Sequence, residues 1–257
     1  MTAKLRTVRP TTRPSDAAEW QARVELAGAF RIANRLGWNE GIANHFSMVL
    51  PGSASDRFLL NPYELHFREI TASNLIIADA KGNLIAGEGQ VRSAAFHLHG
   101  ALHTSLEHAT CIIHAHPPYA TAIACVKGGR LGTAHANAIG LAKQICYDDE
   151  MNGVISAEEC QRMVKLVGKK TVIFHAMHGL TTIGRTVAQA YDSFYFTERW
   201  AMYTVLASQM GKPLHALPEG ILRDSPDRDR GLTPPAAQAH FNAMLRLLDR
   251  EEPDYKT

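Results

Sequence analysis

No stretch of this chain is apolar for long enough to cross a bilayer, and no segment carries the apolar core of a secretory signal, so neither membrane insertion nor export is expected. An excess of one charge is missing too. The 27 Lys and Arg residues against 25 Asp and Glu leave a formal charge of +2, interspersed along the chain, which offers no basic face to a nucleic acid. Cysteine is scarce. Cys111, Cys125, Cys146 and Cys160 form no CxxC pair and each sits among apolar or helical residues, as reduced core cysteines of a cytoplasmic protein do, rather than a zinc knuckle or a disulfide framework. Internal repeats and low-complexity segments are absent as well.

What is present suits a single large core: 257 residues with 46% hydrophobic content. The expected organisation is a flexible arm over 1–15, basic through Lys4, Arg6, Arg9 and Arg13; a main domain over 16–217; and a linker with a C-terminal helix over 218–257 that serves as an interface. Asp16 with Glu19 predicts a capping box that opens a helix, whose apolar positions Trp20, Val24, Ala27, Phe30, Ala33 and Leu36 recur at helical spacing up to Gly37. Short strands and turns follow in GWNEGIANHFSMVLPG and RFLLNPYELHF, then a hairpin around Lys81, Gly82 and Asn83. Ser93 is placed to cap a helix through AAFHLHGALHTSLEH. After it come a strand over 111–116, a helix over 118–126, an irregular connection, and a helix over 156–168. KKTVIFHAMHG predicts a strand. A long helix from Thr186 stops at Gly211-Lys212-Pro213, and Thr233-Pro234 opens a last amphipathic helix with Phe241, Met244, Leu245 and Leu248. Strands alternate with helices, but hairpins interrupt the alternation, so the fold class is α/β with a mixed or antiparallel sheet covered on both faces.

Thirteen histidines are many for this length. In IIHAHPP, strand alternation puts His114 and His116 on one face with Ile112, while Cys111, Ile113 and Ala115 take the other. Two imidazoles so placed can reach one ion at about 2.0–2.1 Å, although an HxH pair also occurs as ordinary sheet histidines. Further on, TVIFHAMHGLTTIG closes an apolar strand with His178-Gly179, where a neighbouring strand could supply a third ligand. His175 competes with His178 for that place.

These segments together resemble the class II aldolase/adducin superfamily. The residues that carry the resemblance are RLGWNEGIANHFSMVLPG, FLLNPYELHFREITASNLIIAD, AAFHLHGALHTSLEHATCIIHAHPP and HGLTTIGRTVAQAYDSFYFTERWAM, and it spans about residues 17–215. The resemblance implies a three-layer α/β/α sandwich around a mainly antiparallel mixed sheet, assembled as a homotetramer or another homo-oligomer. It also implies one divalent metal ion, zinc first and manganese, cobalt or iron as alternatives, held by His114, His116 and His178. His175 then becomes a core histidine or a support behind the ligands, because only His178 precedes the glycine.

Departures from the family pattern shape the expected chemistry. Sugar-phosphate members carry a catalytic carboxylate nineteen residues before the first metal histidine, and here that position is Ala95, which cannot take a proton. His99, one helical turn on, projects from the same face and is the preferred catalytic substitute; His97 and His103 are weaker candidates, and His108 is placed in a solvated turn. Asn44-His45 and Ser93-Ala94 stand where a phosphate would need several donors, so a substrate without phosphate is expected at Asn44 and Ser93. Arg92 is placed to pair with a carboxylate there or to stand exposed at a helix start, and His135 is placed to reach the site from a neighbouring subunit. The expected activity is metal-dependent cleavage of a carbon–carbon bond, by decarboxylation or aldol chemistry, in a small oxygenated and carboxylated substrate, aromatic in one version. An Fe(II) oxygenase and a non-catalytic adducin-like scaffold are the alternatives.

Overall fold

The computed structural model describes residues 16–153, 156–224 and 233–257, with backbone only at 93–95. The arm expected over 1–15 lies outside these residues, as does 225–232 of the expected linker. The first helix, α1 (Ala17–Arg35), starts where Asp16 accepts the Ala18 N–H at 2.8 Å. The expected capping box does not close. Glu19 instead binds the Arg23 guanidinium at 2.7 Å, and that guanidinium also donates to the Ala72 and Leu75 carbonyls, which ties α1 to the loop beneath it.

Four strands then form a meander: β1 (His45–Val49), β2 (Arg57–Leu60), β3 (Ile76–Asp79) and β4 (Leu84–Ala86). The β3–β4 hairpin turns at Gly82, with φ +82°, while the Asp79 carboxylate accepts the Lys81 and Asn83 N–H groups. Next come α2 (Ser93–Ser105), β5 (Cys111–Ala115), α3 (Pro118–Ala124), the kinked α4 (Ala138–Leu141), β6 (Ile145–Asp148), α5 (Ala157–Val167), β7 (Val172–His175) and β8 (Gly179–Gly184). Helices α6 (Val187–Ser208), α7 (Glu219–Asp224) and α8 (Pro234–Glu251) complete the chain.

The strands make one sheet in the order β4-β3-β2-β1-β5-β8-β7-β6, antiparallel except for the β6–β7 pair. Helices α2 and α5 cover one face through Leu102, Met163 and Val167 against Ile112, Ile173 and Ile183. The other face meets α1, α3, α6 and α8 through Phe30, Ile123, Phe194 and Phe241 against Ile113, Phe174 and Leu180. This is the three-layer sandwich expected from the sequence. Phe30, Phe46 and Phe67 pack ring on ring at 4.4–5.0 Å, and each such pair is worth about 0.5–1.5 kcal/mol beyond burial. That cluster pins Phe46 to the α1 side and turns its neighbours His45 and Ser47 toward α2.

Four sequence expectations need correction. The strand read through to His178 stops at His175; residues 176–178 form a turn with Met177 at φ +59°, and a second strand, β8, returns beside the first. The connection read as irregular contains β6, whose parallel pairing with β7 gives no local signal. Within the expected linker, residues 219–224 are helical. Ser93 is the first residue of α2 and Arg92 is its N-cap. The last helix turns Ala237, Phe241 and Leu248 inward against its own chain, where they are fully buried. Among the described residues no helix is long and apolar enough to cross a membrane.

Candidate metal centre

At the end of β5 that faces α2 and α5, the imidazoles of His114, His116 and His178 converge, each offering one nitrogen within 4.8 Å of the others. The convergence is built by three local features. Strand alternation directs His114 and His116 to one face, and the turn after β7 brings His178 back over them, with its N–H on the His175 carbonyl at 3.1 Å. The glycine after His178 makes room: a Cβ at Gly179 would lie 2.5 Å from His116 Cδ2 and 2.8 Å from the Ala115 carbonyl.

Two of the three rings are aimed by hydrogen-bond partners. His116 Nδ1 donates to the Glu40 carboxylate, and its Nε2 is buried with no partner among the described residues. His114 is aimed by a longer relay. The Asp148 carboxylate can only accept, so His175 Nδ1 donates to it at 3.4 Å. With Nδ1 as the donor to Asp148, His175 Nε2 is the acceptor for the Thr181 hydroxyl, 2.9 Å away, and Thr181 in turn accepts from His114 Nδ1 at 3.0 Å. His114 Nε2 is left as an acceptor, 3.1 Å from His178 Nε2. Two imidazole nitrogens sharing one tetrahedral ion at about 2.0–2.1 Å stand about 3.3 Å apart, so the spacing and the donor set both fit a divalent cation.

Electrostatics favour the neutral form of two of the three, His114 and His178. Burial holds His114 well below the usual imidazole range, and burial followed by repulsion from His116 and His175 pushes His178 down to about 4. Glu40 is held below the ordinary carboxylate range by its hydrogen bond from His116. For Asp148, burial pushes the carboxyl up, but the bonds from His175 and Arg162, the latter at 2.6 Å, outweigh it and hold it low. His175 therefore stands behind the ligands as the base of a relay, one of the two roles the sequence left open.

The three histidines open into a cleft of about 390 Å³, in the range usual for small-molecule sites. His99 and Arg92 are among the residues that line it. Leu98, Met151 and Met163 supply an apolar wall opposite the histidines. Arg92 also donates to the Ala43 carbonyl at 2.6 Å and lies over the Tyr63 ring. Two residues expected at the substrate do not line this cleft within the chain. Asn44 is buried, accepts the Glu40 N–H through Oδ1 at 2.6 Å and stays out of the cleft, because it holds the loop that carries Glu40. His135 lies beyond the cleft of its own chain, its ring against Tyr203 at 4.4 Å. The Ser93 side chain is outside the described residues.

Several contributors had no signal in the sequence. His45 lies opposite His114 in the β1–β5 ladder and Thr181 opposite His114 in the β5–β8 ladder, so register alone brings them to the site. Burial pushes His45 down to about 3. Glu40, Asp148 and Arg162 come from three separate elements. If Thr181 aims His114, Thr181→Val should weaken metal binding by about tenfold in a chelator competition while leaving the thermal midpoint of the metal-free protein nearly unchanged. Unaltered affinity would remove Thr181 from that role.

The family described as Class II Aldolase and Adducin N-terminal domain matches residues 24–205. A putative aldolase class 2 protein of Caulobacter vibrioides is 33% identical over 240 residues, covering 93% of each chain. The crystal structure of an aldolase II superfamily protein from Pseudomonas syringae superposes with a TM-score of 0.85 at 28% identity, covering 94% of this chain and 97% of that one. L-fuculose 1-phosphate aldolase from Glaciozyma antarctica shares the fold, with a TM-score of 0.80 at 22% identity over 97% of both chains.

Proposed function

The chain belongs to the class II aldolase and adducin family, and from that membership and the ligand geometry we propose that it is a divalent-metal-dependent lyase. Its reaction is cleavage of a carbon–carbon bond, by aldol chemistry or decarboxylation, in a small, oxygenated carboxylate without phosphate. The observation that carries the reading is the convergence of three imidazole nitrogens on one point, two of the rings held there by hydrogen bonds to Glu40 and Thr181. Zinc suits three nitrogens best, with manganese, cobalt or iron as substitutes. A bound ion supplies Lewis-acid polarisation of a substrate oxygen.

The chain's own side chains do the rest. Arg92 at the cleft is the partner for a substrate carboxylate, and Ser93, next to it in sequence, is a further polar contact. Leu98, Met151 and Met163 exclude water and accept an apolar or aromatic body. His99 moves the proton.

Activity of the purified protein against 2-oxo acids, hydroxy acids and hydroxybenzoates, with each metal in turn, tests the reading. Metal-dependent release of a cleavage product is expected. Oxygen consumption with Fe(II) would assign an oxygenase instead. The family also contains adducins, which makes a non-catalytic scaffold the second reading; a chain that binds no metal would support it.

A homo-oligomer, most simply a tetramer, belongs to the same proposal. Met177, 70% exposed in the ligand turn, and Val126, 62% exposed, support a covered surface beside the site. His135 is then the residue that a neighbouring subunit brings to the cleft. Sedimentation at micromolar concentration should show the assembly. A fully active monomer would rule out a shared site.

A further inference from the structure

We infer that His99 acts as a base in the cleft, its Nε2 kept unprotonated by a hydrogen-bond relay through Ser47 and His103 that ends on the Ala109 carbonyl. The inference rests on the lyase reading above and narrows it to aldol-type cleavage.

The relay is fixed from its far end. A carbonyl oxygen only accepts, so His103 Nδ1 carries the proton it shares with Ala109. Neutral His103 must then accept at Nε2, which lies 2.7 Å from Ser47 Oγ, and the Ser47 hydroxyl is the donor. A hydroxyl has one proton. In its second bond, at 2.6 Å, Ser47 therefore accepts, and His99 Nδ1 is the donor. The His99 lone pair is left on Nε2, the edge not engaged with Ser47, in a ring that lines the cleft.

One condition sets the direction. A charged His103 would reverse both bonds at Ser47 and place a proton on His99 Nε2. His103 is 3% exposed and stacked on Phe58 at 4.7 Å, and burial pushes it down to about 4, so it is neutral near pH 7. The arrangement repeats the one behind His114: an acceptor, a histidine, a hydroxyl, then a second histidine with Nε2 open. The first relay ends on a metal ligand. The second ends on a histidine outside the ligand set, one helical turn from Ala95 on α2.

An unprotonated Nε2 is of use at the start of an aldol cleavage. The proton of the substrate hydroxyl passes to His99 Nε2, and the oxygen's electrons form the product carbonyl as the adjacent carbon–carbon bond breaks. The electron pair of that bond moves onto the remaining fragment, which then takes the proton back from the imidazolium. Nothing is oxidised or reduced, and no co-reactant is needed. Decarboxylation would begin without a base and gain nothing from this tautomer. Ser47 and His103 are positioning residues, acting through His99.

Protein labelled with ¹⁵N at histidine reads the tautomer directly, with His99 assigned by the signals lost in H99Q. The wild type should show a pyrrole-type Nδ1 and a pyridine-type Nε2, with or without added zinc. S47A should mix the tautomers and S47T should keep the native one. With a cleaved substrate in hand, S47A should lower kcat by about tenfold or more at unchanged KM, and S47T should recover most of it. A wild-type Nε2–H signal, or an S47A protein with the native tautomer, overturns the relay and leaves the metal site standing. The native tautomer in a chain that binds no metal and cleaves nothing overturns the lyase reading, and the base with it, by a separate result.

Discussion

Replacing His178 with alanine should lower bound metal by at least about tenfold while the protein stays folded, as should the same change at His114 or His116. The three sites differ in what else they hold. His114 is buried in the middle of the sheet between β1 and β8, so its truncation leaves a gap lined by His45 and Thr181. His178 sits in a turn, partly exposed, and its ring rests mainly on the other two imidazoles. Its removal takes away a ligand and little packing. His178→Ala is therefore the clean variant: metal measured by mass spectrometry after buffer exchange should fall, and the thermal midpoint of the metal-free protein should hold. His175→Ala should cost less metal, since it loosens only the relay to His114. Full metal retention in His178→Ala would remove that residue from the cage.

His99→Ala should reduce turnover by about 10²–10⁴-fold, the usual contribution of a positioned proton-transfer group, at unchanged metal content. Its companion is Ala95→Glu, which puts a carboxylate one helical turn before His99. With His99 as base and an aldol-type reaction, the added carboxylate should be tolerated or should raise activity. A decarboxylase would show the reverse, since a carboxylate near the ion competes for a position and repels an anionic substrate, while loss of a base matters little. Turnover left unchanged by both substitutions would mean that neither residue faces the reacting atoms.

Much of this was legible in the sequence because it depends on local order. His114 and His116 share a face by strand alternation, and the helices announced themselves through periodicity and stop signals. The glycine after His178 was read as part of a motif; its reason, clearance for the His116 ring, appeared only when β5 and β8 were seen side by side. What the sequence could not give depends on register. Nothing local says that Thr181 lies opposite His114, that Ser47 falls between His99 and His103, or that Glu40 reaches His116 across a loop. His103 is the instructive case. The sequence reading ranks it below His99, yet it fixes which nitrogen of His99 is free, because its own far nitrogen meets a carbonyl beyond the end of α2. Strand β6 was missed for a related reason: a parallel pair joined through a helix has no turn signal of its own.

The central claim is that three imidazoles of one chain hold one divalent ion and leave room for substrate oxygens. X-ray absorption at the metal edge of zinc-loaded wild-type protein tests it most directly. The account predicts one ion per chain with three imidazole nitrogens at about 2.0–2.1 Å and oxygen in the remaining coordination. A chain that takes up no stoichiometric metal, or a spectrum with fewer than three imidazoles, would contradict it.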